Sequence, residues 1–481
     1  MSLRRTTALG IGYNALIRVM MFGCQGVTSI ILARSLKPSD YGIVGFSLIF
    51  VNFFRSFSDM GLNNALVKNK TLDDLEAGTA FVLRIILGMT ACLVAYLVSI
   101  PAGWLFSSPQ VVPAIRALSV NFLISAFALL PVAFLKRELN YRRLSIYELS
   151  ITVVSSVASI VAALLGYGFW SIVAGNLLAT ALSTVLVNLL RPTRILLAFD
   201  RKIARIFLSY GSHIFVSGLV VYLMLNTDNF IVGAASGTAL LGCYTIAFNW
   251  GSMVCTILQG VVLNVLFPTF SRLVREGKKI EKQYLDVVEY VAFLAVATNL
   301  TLFIASHDFL LYFLGKGDPK WLPALPALRI LCLYGIIRAI LEPMGQVMLA
   351  LGKSELISRA TLIAAVVEIV AIYPALKIGG LVGAAVVVTV AYVLQYFYYL
   401  RVLAGIVDLK ASAIGRRVLP ALLAAPAACV GLFGPGTASP GLVGLFVKVI
   451  LAVLCYLVAY GLLTRWKFYR EMRTLIPAPA R

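Results

Sequence analysis

Apolar stretches of about 20 or more residues recur from one end of the chain to the other, each long enough to cross the ~30 Å hydrocarbon core of a bilayer. Fourteen are expected as spans, approximately 11–33, 41–66, 79–106, 113–135, 145–165, 168–190, 208–233, 239–268, 286–314, 322–350, 356–376, 381–401, 417–434 and 441–463. A segment inside lipid satisfies its backbone hydrogen bonds only as a helix or within a closed barrel. A barrel would show ~10-residue segments of alternating hydrophobicity, and none is found. The expected fold class is an all-α integral membrane protein. Composition agrees, with 60% of the 481 residues hydrophobic and 13% charged, against roughly 45–50% and 25% in soluble domains. The start, "MSLRRTTALGIGYNALIRVMMF", resembles a secretory signal. Tyr13, Asn14 and Arg18 interrupt its apolar part, however, and no small-x-small site follows, so it reads as an uncleaved first helix.

A net charge of +21 invites a nucleic-acid reading. With the N-terminus inside, the inward loops and tails hold 27 of the 41 Lys and Arg and the outward loops hold 5. That bias is the positive-inside rule, and it places both termini in the cytoplasm. Most of the basic excess is therefore topology, and no nucleic-acid partner is expected. The seven cysteines lie scattered in apolar stretches without a C-x-x-C pair, which reads as helix packing rather than a disulfide framework or metal site.

An internal repeat sets the architecture. "AIRALSVNFLISAFALLPVAFL" (114–135) resembles "ALRILCLYGIIRAILEPMGQVML" (327–349), each with a proline about fourteen residues after its arginine, Pro131 and Pro343. "IILARSLKPSDYGIVGFS" (30–47) matches "FIVGAASGTALLGCYTIA" (230–247) and aligns Gly42 with Gly242. Each unit contains six spans, so both copies enter the membrane from the same side, related by an axis along the membrane normal. The expected organisation is a six-helix lobe at 1–196, a second at 197–405, and helices 13 and 14 with a basic cytoplasmic tail at 406–481.

Charges inside spans face cavities or partners and mark functional candidates. Arg55 lies fourteen residues after Tyr41, about 21 Å along the helix, with Asp59 one turn further on as its expected partner. The first lobe carries Arg18, Arg55, Arg84 and Arg116 within its spans against Asp59 and Glu148. The second balances Arg329, Arg338, Arg359 and Arg401 against Asp228, Glu289, Asp308, Glu342 and Glu368. A net cationic patch of arginines, each an always-charged fork of donors, suits an anionic substrate such as the pyrophosphate of a polyprenyl-linked sugar. Arg18 and Arg55 are the leading pair. Arg84 is placed to snorkel to the near surface, and Arg116, with its repeat partner Arg329, suits a shared structural or gating role. Arg338 and Glu342, one turn apart, are expected to pair. Asp228 and Glu368 are candidates to carry a coupling proton or sodium ion.

Catalysis finds little support. His213 and His307 are the two histidines and lie in different spans, and there is no D-x-D pair, nucleophile elbow or phosphate-binding glycine loop. No cofactor is expected beyond a coupling ion, and the chain is not expected to be an enzyme.

"ARSLKPSDYGIVGFSLIFVNFFRSFSDMGLNNALVKNK" (33–70) resembles the Wzx-type polysaccharide flippases of the multidrug/oligosaccharidyl-lipid/polysaccharide exporter superfamily, nearest the exopolysaccharide, colanic-acid-type exporters. The matching elements are Ala33, Arg34 and Leu36, then Asp40, Tyr41 and Gly42, then Asp59, Gly61, Ala65, Leu66 and Val67, and "TDNFIVG" (227–233) resembles the span-7 signature. The resemblance implies a flippase moving undecaprenyl-pyrophosphate-linked repeat units across a bacterial inner membrane by alternating access, for exopolysaccharide or lipopolysaccharide synthesis. It further implies a cationic cavity lined by Arg18 and Arg55, with polysaccharide polymerase or export machinery as partners. A sodium site from helices 7, 11 and 12 would fall on Asp228, Glu368 and Thr389, although Ala364 stands where that pattern has a second polar group. The competing expectations are an ion-coupled multidrug exporter of the same fold, a lipid II flippase, and a membrane glycan polymerase.

Overall fold

The computed structural model describes residues 3–68, 73–138, 140–193, 197–259, 264–407, 410–430 and 441–466, with side chains described from Ile17 onward except at 141, 217, 220, 221, 224, 264 and 265. Every regular element among them is helical: α1 (Leu3–Ser35), α2 (Pro38–Asp59), α3 (Leu62–Lys68), α4 (Asp74–Leu105), α5 (Val111–Ser119), α6 (Asn121–Ala126), α7 (Leu129–Arg137), α8 (Tyr141–Leu164), α9 (Trp170–Leu190), α10 (Arg201–Gly251), α11 (Met253–Leu258), α12 (Asn264–Arg275), α13 (Glu281–Asp308), α14 (Leu325–Ala350), α15 (Ser354–Ile406), α16 (Ala411–Val430) and α17 (Leu442–Leu463). A π-helical turn, Phe309–Leu314, and a 3-10 turn, Pro319–Ala324, join α13 to α14.

Among the described residues, eleven helical segments are long and apolar enough to cross a membrane, or up to twelve if the bent pair within α5–α7 is one span. That count falls short of the fourteen expected. Besides the bent pair, the difference lies in α10 and α15, each counted once where two spans are expected. At 51 and 53 residues they are far too long for one crossing. Each turns on one glycine with non-helical backbone: Gly237 at φ 81°, ψ 175°, and Gly380 at φ 57°, ψ −141°. A positive φ here strains any residue with a Cβ, so glycine carries both turns.

The chain divides into two compact units, Met1–Thr245 and Ile246–Arg481. Most of α10 is thus grouped with α1–α9, whereas the second lobe is expected to begin at 197. Packing against α2 accounts for this. Helix α2 opens with Pro38 in its first turn, and the Lys37 amide donates to Asp40 Oδ2 at 2.9 Å. A Cβ placed on Gly42 would lie 1.7 Å from the Thr238 carbonyl oxygen, and one on Gly242 would lie 1.8 Å from that of Pro38. Each glycine therefore meets the carbonyl four residues before the other, a reciprocal contact between the two residues that the repeat aligns.

From that crossing, aromatic rings continue the seam. Phe46 and Phe50 meet Phe230 at 6.0 and 6.3 Å, Phe53 meets Tyr222 and Phe215, and Phe57 meets Phe215 at 5.7 Å. The Tyr222 hydroxyl donates to the Ile49 carbonyl. At the far end Met60, in left-handed conformation, closes α2, and a Cβ on Gly211 would lie 2.0 Å from its carbonyl oxygen. Residues 42 to 60 cover about 27 Å of helix, nearly one bilayer core.

In the second unit α16 and α17 dock on α13. Arg417 pairs with Asp286 at 3.3 Å and with Glu289, while Lys448 pairs with Asp308. Tyr284 and Val288 of α13, Met344 and Val347 of α14, and Tyr456 and Tyr460 of α17 share one core.

Gly42→Ala and Gly242→Ala should each destabilise the protein by ~1–3 kcal/mol through overpacking, read as a lowered melting temperature in detergent. Gly23→Ala, with open space around its Cβ position, should leave the melting temperature unchanged.

Candidate functional site

Arg55 projects from α2 as an exposed side chain, and no described residue hydrogen-bonds or ion-pairs with it. The expected Arg55–Asp59 pair is not formed. Asp59 instead accepts from Asn63 Nδ2 at 2.7 Å and lies 3.8 Å from Arg84. The reason is the end of α2: the chain turns at Met60 and Gly61, bringing Asn63 of α3 within reach of the carboxylate. Arg84 does not snorkel either. It is 4% exposed on α4 and donates to Ser58 Oγ at 2.9 Å and Ser125 Oγ at 3.2 Å, joining α2, α4 and α6. Its Nε is buried without an acceptor. Arg84 is a strut, and it releases Arg55 from its expected partner. Arg55 remains close enough to Arg84 and to Tyr147 on α8 for its charge to act on both. Arg18, on α1, is half-buried and likewise has no partner among the described residues; α1 packs on α8.

Arg116 and Arg329 occupy matching clamps. Arg116 Nε donates to Ser99 Oγ at 3.1 Å with its guanidinium 3.9 Å from the Tyr96 ring centre. Arg329 Nε donates to Ser306 Oγ at 3.1 Å with its guanidinium 5.8 Å from the Phe303 ring centre. Each serine in turn donates to the carbonyl three residues back, Tyr96 and Phe303. The same hydrogen bonds and ring contact in both halves give Arg116 a packing role, with each clamp fastening two successive spans.

Asp228, 3% exposed, accepts from the Asn229 amide at 2.7 Å, Asn229 Nδ2 at 3.0 Å and the Tyr244 hydroxyl at 3.0 Å. These neutral donors hold a carboxylate inside a spanning helix. Asp228 belongs to the first unit, whereas Glu368 and Thr389 belong to the second. Glu368 is buried on α15 within electrostatic reach of Tyr392. Thr389 donates its hydroxyl to the Ala385 carbonyl at 2.7 Å, which leaves its lone pairs available. Arg338 lies 3.5 Å from Glu342 on the same helix, α14, and donates to the Tyr334 hydroxyl at 2.9 Å, while Gln259 donates to Glu342. No group of three or more His, Cys, Asp or Glu suited to a metal occurs among the described residues.

Ser58, Ser125, Ser99, Ser306, Tyr147 and Tyr244 were not among the residues singled out from the sequence. Extending the repeat to "AYLVSI" (95–100) against "LFIASH" (302–307) brings Tyr96 onto Phe303 and Ser99 onto Ser306. The contacts of Ser58, Ser125 and Tyr147 leave no comparable mark, since each joins elements distant in the chain.

This architecture is similar to that of the lipid II flippase MurJ in an inward closed conformation, with a TM-score of 0.75 and 13% identity over 97% of this chain and 99% of that one. It is also similar to an inward-facing multidrug resistance MATE family transporter, with a TM-score of 0.63 and 17% identity over 82% and 99%. At such identities the likeness shows the fold alone. A family model described as "Polysaccharide biosynthesis protein" matches residues 31–326, and the chain belongs to that family. Relatives similar to it include the lipopolysaccharide biosynthesis protein WzxC of Escherichia coli K12, 25% identical over 82% of this chain and 79% of that protein. The teichuronic acid biosynthesis protein TuaB of Bacillus subtilis 168 is 24% identical over 83% of each. The succinoglycan biosynthesis transport protein ExoT of Rhizobium meliloti 1021 is 23% identical over 68% and 66%.

Arg84→Ala should strand its serine and carboxylate partners at ~1–3 kcal/mol per unsatisfied group, seen as a lowered melting temperature and reduced folded yield. Arg116→Ala and Arg329→Ala should lower the melting temperature by similar amounts, because they remove the same contacts. A large drop for only one of them would show that the clamps are not equivalent.

Proposed function

We propose that this chain is a flippase that carries lipid-linked oligosaccharides, the repeat units of a surface polysaccharide, across a bacterial inner membrane, and that it performs no group transfer itself. The observation that carries the reading is Arg55, a permanent charge on a spanning helix that is exposed and unpaired among the described residues while its expected acid is held elsewhere. A cation in that setting is costly unless an anion meets it. Arg18 adds a second such charge on α1.

In the finer proposal the anion is the pyrophosphate of an undecaprenyl carrier. Its non-bridging oxygens match the donor fork of arginine. Substrate enters a cavity open to the cytoplasm, the pyrophosphate engages Arg18 and Arg55, and the hydrocarbon tail stays in lipid. The halves then rock and expose the glycan to the periplasm. Both termini are cytoplasmic in this scheme, following the loop charges, and a polymerase receives the flipped units. Proton or sodium coupling is proposed at Asp228 and at Glu368 with Thr389, supported by buried carboxylates within spans. Asp228 already accepts on both oxygens, so an ion there would share or displace the Asn229 and Tyr244 donors.

A multidrug exporter of the same fold is the second reading. The family match and the relatives named for polysaccharide biosynthesis and transport favour saccharide cargo. The likeness to the lipid II flippase rests on fold alone.

Deleting the gene should accumulate lipid-linked repeat units on the cytoplasmic leaflet and abolish surface polymer without arresting growth. Unchanged polymer with altered drug tolerance would select the exporter, and arrested wall synthesis would select lipid II. In the complemented strain, Arg55→Ala and Arg18→Ala should each cut polymer export about tenfold or more, equivalent to ~1.4 kcal/mol or more of lost binding, at normal membrane levels of the protein. Asp228→Asn should remove any dependence of flipping on a sodium or proton gradient in vesicles. A dependence that survives the substitution would move the coupling site elsewhere.

A further inference from the structure

Carrying the repeat past Gly42 and Gly242 sets Arg55 against Cys255, Ser58 against Leu258 and Asp59 against Gln259. Aligning Ser99 with Ser306 and Arg116 with Arg329 likewise sets Arg84 against Val291 and Ser125 against Arg338. The knot around Arg84 in the first unit thus has a counterpart in the second. Cys255, Leu258, Gln259 and Val291 line one cavity there together with Glu342 of α14. The arginine, however, has changed helices: Val291 of α13 is apolar, and the cation comes from α14 as Arg338.

The two arginines differ in how far they are satisfied. Arg84 spends both terminal nitrogens on hydroxyls and is 4% exposed. Arg338 donates from Nη1 to the Tyr334 hydroxyl at 2.9 Å, and its Nε reaches Glu342 only at 3.5 Å. Its Nη2 has no acceptor among the described residues, and the side chain keeps 14% of its surface. A carboxylate gripped by the fork takes two parallel bonds, whereas Glu342 takes one long one. The ring centres of Tyr334 and Tyr392 lie 5.9 and 5.8 Å from the guanidinium and 4.9 Å from each other, edge to face. Rings so placed attract the cation and hold it. A fork fixed at its base with donors left open is pre-organised for an oxyanion.

Glu342 is free to part from it. Gln259 Nε2 also donates to Glu342, and the Glu342 side chain is 24% exposed, so the carboxylate keeps a donor without Arg338. The cavity beside it, about 10 Å³, has room for about one water and none for a phosphate. The exposed edge of Arg338 is therefore the side on which an anion arrives.

We infer that the Arg338 guanidinium is an oxyanion site of the second unit, taking a phosphate-class group, with Glu342 as the counter-ion that the arriving anion displaces. The inference goes beyond the functional reading above, which places anion binding on Arg18 and Arg55.

The test measures binding of undecaprenyl pyrophosphate, and separately of inorganic pyrophosphate, to the purified full chain in phosphatidylcholine nanodiscs. Arg338→Gln should weaken binding about tenfold or more, the loss of a charge-assisted donor. Glu342→Gln should tighten it about twofold or more, because a competing negative charge is gone. In the double variant that gain should vanish, since the carboxylate competes only for Arg338. An ion pair that serves packing alone gives no gain on Glu342→Gln, and that result overturns the site. If Arg338→Gln does not fold, Glu342→Gln in the otherwise unchanged chain still decides. Equal affinity for the two ligands, with the same dependence on both residues, assigns the site to free phosphate. A preference of about tenfold or more for the undecaprenyl compound assigns it to a lipid carrier, and either result supports the site. Loss of binding in Arg55→Ala but not in Arg338→Gln overturns this site and leaves the first reading standing. A wild type that binds neither pyrophosphate overturns both.

Discussion

Hydrocarbon offers no partner to an exposed amide or carbonyl, and that one denial shapes every level of this protein. It forces each crossing into a helix, so the chain can change direction within the membrane only where a residue tolerates unusual backbone angles. Hydroxyls obey the same rule. Ser47, Ser183 and Thr389 return their protons to carbonyls of their own helices. Charged groups obey it most strictly, and the buried Arg84 sits among two hydroxyls and a carboxylate.

Seen this way, the unpaired state of Arg55 is built by its neighbours. Arg84 draws on Asp59 from one side and Asn63 from the other, so the acid on Arg55's own helix is occupied before Arg55 can use it. Separating charges that lie one turn apart needs a competing network, and the turn at Met60 and Gly61 supplies the geometry for it. The aromatic seam between α2 and α10 fixes α2 over most of its length, so Arg55 extends from a held helix. A binding group on a rigid element loses less freedom when ligand arrives.

Much of this fold is legible in the sequence, because apolar length and repetition are local or periodic signals. The helical class follows from them, and the repeat aligns Gly42 with Gly242 without indicating that the two touch. The number of crossings differs, because the sequence separates spans at Gly237 and Gly380 while helical hydrogen bonding runs almost unbroken across both turns. At the site, Arg18 and Arg55 stand out as charges in apolar runs. The partners of Arg84 do not, because Ser58 and Ser125 lie 26 and 41 residues away in the chain, and serines of that kind are common in spans. The Arg55–Asp59 pair follows from helical spacing, but spacing along one helix is silent about what a neighbouring helix contributes.

The reciprocal contact of Gly42 and Gly242 also bears on how such a chain arises. Two copies of a six-span unit enter the membrane in the same orientation, and where such copies meet about a two-fold axis the residue nearest that axis touches its own duplicate. A side chain there would collide with itself, and the position is confined to glycine from the start. With both copies in one chain, positions away from such a contact are free to differ, and the contact itself is not. Asp228, aligned by the repeat with Thr28 and Ser29, stands at a position free to diverge, while Gly42 and Gly242, which abut, are the same residue in both copies.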